Sequence, residues 1–377
     1  MINITEVRTA SQRRAFARFP LKLYKDCPYY VPSVYADEKN ITLPQKNPSL
    51  ATCEIRCFLA EKDGKIVGRA AGIIQKKYNE IAGRKCIRFS RFDCIDDAEV
   101  AKALLDAVES FGRERGMDTI HGPWGFNDQD REGMLTYGFE RRATYATNYN
   151  YPYYEKLVRD LGFTDESEWV EYAFKVPEKV DERIAHVASF IQRKLDLKEI
   201  AGTAPMRKLI PAYGPKALAM VNQAYAALDC YVPVEGKVVD AVLQQFATVI
   251  NPRYFSLLTD KNDEVVAMAV MLPSICAPLQ KSGGRMTPLT ILRLLRAIAK
   301  PKELEMVLIA VRPDYQKKGL NSIMISRILQ NIIDDKIEKV ESNPELVTNT
   351  AVQEQWEVLE RYIVKRRKCF TKPIAKE

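Results

Sequence analysis

The run Glu305-Met306-Val307-Leu308-Ile309-Ala310-Val311 is apolar enough for a buried strand. It continues through Arg312-Pro313-Asp314-Tyr315 into Gln316-Lys317-Lys318-Gly319-Leu320-Asn321-Ser322. Beyond it Ile323, Ile325, Ile328, Leu329 and Ile332 recur at helical spacing. A glycine loop opening a helix presents unpaired backbone N–H groups and the positive end of the helix dipole, a cradle for an anion such as a pyrophosphate. Lys317 and Lys318 add charge beside it. An ordinary strand-to-helix turn with solvated lysines has the same spacing, so the pattern alone leaves both readings open.

Other chemistries find less support. The eight cysteines (Cys27, Cys53, Cys57, Cys86, Cys94, Cys230, Cys276, Cys369) contain no C-x-x-C pair, and they read as reduced, mostly buried thiols. The two histidines, His121 and His186, have no second His or Cys at ligand spacing, so no metal site and no Ser-His-Asp triad is expected. The longest apolar run, Val265 to Leu272, falls far short of the ~20 residues of a membrane span, and no membrane partner is expected. The start Met1-Ile2-Asn3-Ile4-Thr5-Glu6 shows no secretion signal, so a soluble, cytoplasmic protein is expected.

The formal net charge is +8, and most of it lies after residue 175, largely in Lys365-Arg366-Arg367-Lys368-Cys369-Phe370-Thr371-Lys372. Such a cluster could meet the phosphates of a nucleotide-like cofactor, an acidic substrate or nucleic acid. It could equally be a solvated terminal strand and tail. No helix-turn-helix, zinc-finger or aromatic RNA-binding motif accompanies it, so nucleic acid is not the expected partner.

The elements that must position these residues read as mixed α/β. Cys57 to Glu61, the turn Asp63-Gly64, and Ile66 to Ile74 form a hairpin signal. Ile87 to Cys94 follows as a strand. A helix then starts at Asp96-Asp97-Ala98-Glu99, carries Val100, Leu104, Val108 and Phe111 on one face, and ends at Gly116. A strand (Met117 to His121), a short helix (Pro152 to Leu161) and a strand (Trp169 to Val176) complete the first half. Pro177-Glu178-Lys179-Val180-Asp181 marks a boundary, giving domains 1–176 and 177–377. The second half repeats the order: helix Lys216 to Leu228, strands Tyr254 to Leu258 and Val265 to Leu272, an insertion Pro273 to Lys302 with a helix-like 289–295 run, then strand 305–311, helix Ser322 to Ile333 and strand Ile337 to Glu341. The expected fold class is therefore α/β with mixed sheets, in two similar domains.

The 316–322 segment resembles the acyl-CoA motif of the GNAT (Gcn5-related N-acetyltransferase) superfamily, Gln/Arg-x-x-Gly-x-Gly/Ala. Gln316, Lys317, Lys318 and Gly319 match, whereas Asn321 stands where Gly or Ala is usual. The element order of both halves is also similar, so the resemblance implies two tandem GNAT-like domains. The chain also resembles a bacterial family of GNAT-like proteins through Val311-Arg312-Pro313-Asp314-Tyr315-Gln316, Glu341-Ser342-Asn343-Pro344-Glu345-Leu346 and Val352-Gln353-Glu354-Gln355-Trp356.

What the resemblance implies is an acyl-CoA-dependent N-acyltransferase moving an acetyl or other acyl group from CoA directly to an amine, a small molecule or peptide, without a metal. The cofactor would be held by Val311, Gln316, Lys317, Lys318, Gly319, Leu320, Asn321, Ser322 and the helix-capping Asn349. Glu305, eleven residues before Gln316, matches the catalytic base of the histone-acetyltransferase branch, with Glu341 and Glu345 as weaker candidates. Seven residues after Asn349, Trp356 replaces a tyrosine that often protonates the leaving thiolate, and an indole N–H is no useful proton donor. Water or Tyr362 would have to serve. The corresponding turn of the first half, Ile95-Asp96-Asp97-Ala98-Glu99-Val100, has no glycine and carries acids that would repel a pyrophosphate. That half is expected not to bind CoA, and its run Tyr145, Tyr149, Tyr151, Tyr153, Tyr154 reads as pocket lining or as packing. Asn321 and Trp356 keep a second reading open, a non-catalytic GNAT-fold protein that binds an acyl-CoA or another small ligand.

Overall fold

The computed structural model describes residues 1–127, 130–200, 204–228 and 231–375. In the first half the elements are β1 (Ile2–Glu6), α1 (Ala10–Leu23), α2 (Tyr35–Asn40), β2 (Cys53–Lys62), β3 (Lys65–Gln75), α3 (Lys76–Ala82), β4 (Cys86–Cys94), α4 (Ala98–Glu114), β5 (Thr119–Gly122), β6 (Met134–Tyr137), α5 (Tyr153–Asp160) and β7 (Thr164–Phe174). The second half contains α6 (Glu182–Lys194), β8 (Lys198–Glu199), α7 (Met206–Tyr225), α8 (Lys237–Val249), β9 (Phe255–Thr259), β10 (Val265–Pro273), α9 (Cys276–Ser282) and α10 (Pro288–Ala299). It ends with β11 (Glu303–Val311), α11 (Leu320–Asp334), β12 (Lys339–Ser342), β13 (Glu345–Leu346), α12 (Thr350–Glu354) and β14 (Arg361–Pro373).

The hairpin turn between β2 and β3 works because Asp63 (φ 52°) and Gly64 (φ 72°) both take the left-handed conformation that a two-residue turn requires. Helix α4 starts on the Asp97 carboxylate, which accepts from the N–H groups of Glu99 (3.0 Å) and Val100 (3.3 Å). Its stripe Val100, Leu104, Leu105, Val108 and Phe111 is fully buried against the sheet, each side chain contributing roughly 1.5–3 kcal/mol. In the second half, Ile323, Met324, Ile328 and Ile332 of α11 fill the equivalent core. The long helix α7 begins ten residues before its expected start, because burial of Met206 and Leu209 outweighs the breaking tendency of Pro211 and Pro215.

The strands of the described residues form one sheet in the order β1-β2-β3-β4-β5-β14-β7-β12-β11-β10-β9-β8, with β13 beside β7 and β6 beside β14. Among the described residues two ladders are parallel, β4 with β5 and β11 with β12. At the centre the last strand of each half crosses over: β14 inserts next to β5 of the first half, and β7 next to β12 of the second. The two pair antiparallel with each other along most of their length, from Arg361 opposite Phe174 to Thr371 opposite Thr164. The loop at 175–181 separates the halves in sequence, yet the sheet runs through both without a break.

This placement corrects the reading of the basic C-terminal cluster as a phosphate-facing patch or solvated tail. Lys365 and Arg367 point inward and are completely buried, Lys365 Nζ lying 3.2 Å from Glu171 and 3.4 Å from Glu341, and Arg367 Nε 2.5 Å from Glu171. The alternate residues Arg366 and Lys368 face outward and pair with Glu168 and Asp165. Two buried cations facing two buried carboxylates leave no net charge, which is why the cluster can occupy the middle of a sheet.

Candidate functional site

The parallel ladder between β11 and β12 covers only four pairs, from Glu303 opposite Lys339 to Met306 opposite Ser342, and the Asn343 N–H to the Met306 carbonyl (3.0 Å) is its last link. Beyond it β12 turns away, and Leu308 to Val311 stay paired on the β10 side alone. Val307 is an extra residue there, because Val270 faces Leu308 while Met271 faces Met306. The strands therefore splay, and the gap opens into a cleft of about 1010 Å³ between the two halves. Its C-terminal wall is mostly apolar, formed by β11, Ile325, Ile328 and Leu329 of α11, and Leu294 and Ile298 of α10, while Arg91, Asp130 and Tyr145 come from the first half.

Glu305 sits in this wall, 7% exposed. Its Oε2 accepts from the Tyr145 N–H (3.1 Å) and its Oε1 from the Cys276 thiol (3.2 Å), so residues of both halves hold it. Burial raises its pKa, and the nearby Glu341 charge adds to the effect. Burial likewise pushes the Cys276 thiol far up, keeping it protonated as the donor.

A second carboxyl lines the same cleft. Glu345 accepts from the Trp356 indole N–H (3.0 Å), its other oxygen has no partner among the described residues, and burial raises its pKa to about 7. The Trp356 side chain is thus occupied in holding a titratable group, a pairing that no spacing in the sequence announces. Glu341, the other weaker candidate, is held by Lys339 (2.8 Å) and Lys365 (3.4 Å) at the centre of the sheet. Tyr362 is 54% exposed on β14 and is not part of the cleft wall.

At the far end of β11 lies the glycine turn. Six residues of strand, roughly 20 Å, separate Glu305 from Val311. Gln316 Nε2 donates to the Val311 carbonyl (3.2 Å) and ties the turn to the strand end. Lys317 (φ 58°) and Gly319 (φ 81°) are left-handed, and Gly319 stands at the N-cap of α11 with no side chain capping the helix. Ser322 Oγ donates back to the Gly319 carbonyl (2.7 Å), Lys318 Nζ rests 4.9 Å above the Tyr315 ring, and Leu320 anchors the first turn in the core. The Asn321 side-chain oxygen is buried without a partner among the described residues. Gln316, Lys317, Lys318 and Gly319 are exposed, and the turn is not part of the cleft wall. Asn349 does line the cleft and stands at the N-cap of α12, but its side chain makes no capping bond.

The tyrosine run divides. Tyr145 lines the cleft, whereas Tyr149, Tyr151, Tyr153 and Tyr154 pack on one another, with Tyr154 Oη accepting from the Cys94 N–H (2.7 Å). His121 is buried against Glu166 (2.9 Å) and His186 is exposed. Of the described cysteines, six are buried, Cys27 is half-buried, and all are free thiols; Cys230 and Lys376 lie outside the described residues. Among the described residues no helix is long and apolar enough to cross a membrane.

No protein-family model matches the chain. It is 32% identical over 150 residues to the protein YghO of Escherichia coli K12, a match spanning 40% of this chain and only 38% of that protein. It is 22% identical over 300 residues to the bacterial ceramide synthase of Caulobacter vibrioides, spanning 78% and 76% of the two chains. Among solved structures, a tandem GNAT protein of the clavulanic acid biosynthesis pathway superposes with a TM-score of 0.56 over all of both chains at 10% identity, a likeness that carries the fold and nothing finer. With the splayed parallel ladder, the glycine-led helix and the repeated element order, this chain has the tandem GNAT fold.

Proposed function

We propose that this chain is an acyl-CoA-dependent N-acyltransferase that binds its donor in the second half and transfers the acyl group directly to an amine. One observation carries the reading: β11 runs from a buried carboxyl in an apolar cleft to a glycine-led helix N-terminus that no side chain caps. The uncapped end of α11, with Lys317 and Lys318 beside it, suits the phosphates of CoA. The edge of β11 that β12 has left offers backbone N–H groups for the arm that leads inward, its Ile309 and Val311 carbonyls being taken by Tyr225 Oη (3.0 Å) and Gln316 Nε2 (3.2 Å), and N–H groups near Val307 to polarise the acyl carbonyl. When bound, the donor supplies an acyl group activated as a thioester.

The residues then divide the proton work. Glu305, its pKa raised yet still a carboxylate when deprotonated, takes the proton that an alkylammonium must lose before it attacks. The neutral amine forms the C–N bond, its nitrogen sheds a second proton to water as the C–S bond breaks, and Glu345, poised near neutrality, gives a proton to the leaving thiolate. Two carboxyls in different settings thereby serve as base and acid. The apolar wall supports a long-chain donor or amine rather than acetyl alone. The Caulobacter relative's name points the same way, since a ceramide is the amide of a long-chain amino alcohol.

The test pairs acetyl-CoA and palmitoyl-CoA with small amines, peptides and a long-chain amino alcohol, and reads thiol release and amide product. Turnover that Glu305→Gln lowers by ~10²–10⁴, while Lys317→Glu with Lys318→Glu raises the donor KM, would support the reading. No turnover and no thermal shift with either donor would overturn it. The second reading, a non-catalytic acyl-CoA binder, is favoured by Trp356 in the place of a tyrosine. It predicts a saturable thermal shift, ~2.7 kcal/mol at a hundredfold excess over Kd, without thiol release.

A further inference from the structure

The segment between β10 and β11 carries a surface that neither the core nor the proposed reaction accounts for. Met286, Leu289, Ile291, Leu292 and Leu295 are between 43% and 63% exposed, five large apolar side chains within ten residues. Helix α10 is not simply apolar all round. At 100° per residue, Thr290, Ala297, Leu294 and Ile298 share the face turned to the body, and Thr290 is buried. Ile291, Leu295 and Leu292 form the next stripe, open to solvent. Arg293, Arg296 and Lys300 fall together on the stripe after that, and among the described residues none of the three takes part in an ion pair. From Val265 to Lys302 the chain holds six Lys or Arg and not one Asp or Glu.

An exposed apolar stripe flanked by unneutralised cations is the pattern of a helix lying in the headgroup boundary of an anionic bilayer. The helix has twelve residues, about 18 Å, too short to span a bilayer and long enough to lie in its plane. Its neighbouring face borders the cleft, because Met286, Ile291, Leu294 and Ile298 line it. We propose that α10 is an interfacial helix that seats this protein on an anionic lipid surface, with Ile291, Leu292 and Leu295 in the acyl boundary and Arg293, Arg296 and Lys300 among the headgroups. The cleft then borders the bilayer, and an amphiphilic ligand can reach it without crossing water. The expectation of no membrane partner rested on the absence of a spanning segment, and a helix in the plane of the membrane leaves no such signature.

The experiment is co-sedimentation of the full chain with phosphatidylcholine vesicles, with and without phosphatidylglycerol, at low and high salt. Partitioning onto the anionic vesicles should exceed that onto the neutral ones by roughly 100-fold, at about fivefold per cation, and should fall with salt. Arg293→Gln with Arg296→Gln should lower it by roughly 30-fold, and Leu292→Glu with Leu295→Glu should abolish it. Far-UV spectra and melting curves check that both variants fold, which their exposed positions favour. Equal partitioning of wild type and folded variants would overturn the proposal. So would a concentration-dependent dimer, seen by light scattering and lost in the leucine variant while vesicles bind nothing, because the stripe would then belong to a second copy. None of these readings depends on turnover, so the proposal can stand or fall separately from the acyl-transfer reading.

Discussion

The two halves build the same strand–turn–helix and finish it in opposite ways. In the second half β11 ends in a glycine turn, and Gly319 leaves the start of α11 uncapped and exposed. In the first half β4 leads to Asp97, whose carboxylate already occupies the start of α4 and is itself held by Lys62 (2.7 Å). Its strand end is sealed too, since the Cys94 carbonyl accepts from both Tyr153 (2.7 Å) and Tyr154 (2.9 Å). At the third pair of each parallel ladder the contrast repeats. Glu305 opposite Glu341 borders a cleft, whereas Arg88 opposite His121 fills its gap, donating to the Gly125 carbonyl (3.0 Å) beneath the Tyr78 ring.

Charge follows the same division across the cleft. On the first-half side, burial alone would raise the pKa of Glu38 and of Asp130, but Arg91 beside both and Arg69 beside Glu38 bring them below their ordinary values. On the second-half side no cation offsets the burial of Glu305, the Trp356 N–H and the Arg361 charge offset that of Glu345 only in part, and burial wins at both. One wall of the cleft is a satisfied ion-pair network, and the other keeps titratable groups in reserve. The lesson is that a duplicated scaffold can be retired or kept open by one capping residue and a few counter-ions.

Lys365→Met should produce the largest break, because it removes the cation that Glu171 and Glu341 share and leaves Arg367 and Lys339 to hold them with an excess of buried negative charge at the sheet centre; a loss of ~3–5 kcal/mol in chemical denaturation is expected. If the halves were independent, the melt would split into two transitions rather than shift as one. Next is pH. Glu345 titrates near 7 in the folded chain against 4.5 as its ordinary value, so the folded state binds the proton more tightly. Stability should therefore fall as pH rises from about 4.5 through 7, by at most about 3 kcal/mol from this group, and Glu345→Gln should flatten that slope. A stability curve that rises through the same window in both proteins would contradict the unpaired setting assigned to Glu345.

Gly319→Ala should cost ~1–2 kcal/mol for its left-handed conformation, with a further penalty because an added Cβ would meet Ile191 Cδ1 of α6 at 2.4 Å. Its acyl-CoA affinity should fall as well. Asp97→Ala, the matching change in the first half, should cost about 1 kcal/mol as a lost cap and leave acyl-CoA affinity untouched. Calorimetric titration of the two variants side by side would expose any donor binding in the first half.

Much of this was legible in the residues. Alternating and helical periodicities located the β2–β3 hairpin, β4, α4, β10, β11 and α11, because each buries one face against its own half and leaves a local pattern. The glycine turn was legible because positive φ at a helix start is written in a single residue. Helices α1, α6 and α8 left weaker signals and were not anticipated. Nor was the Trp356–Glu345 contact, since residues eleven apart on a strand and a loop meet only through the path of the chain between them.

By itself, then, the sequence determined the local events: which segments are strands and helices, that both halves share one order, and that only the second carries a glycine-led turn. The tertiary structure decided what those segments face. It took Lys365 and Arg367, which as a string are indistinguishable from a solvated basic tail, and buried them opposite Glu171 and Glu341 by threading β14 between β5 and β7. It turned Glu305 into a buried carboxyl by bringing Tyr145 and Cys276 to it from distant segments. Charge, burial and pKa depend on neighbours far away in sequence, and no local pattern encodes which neighbours those will be.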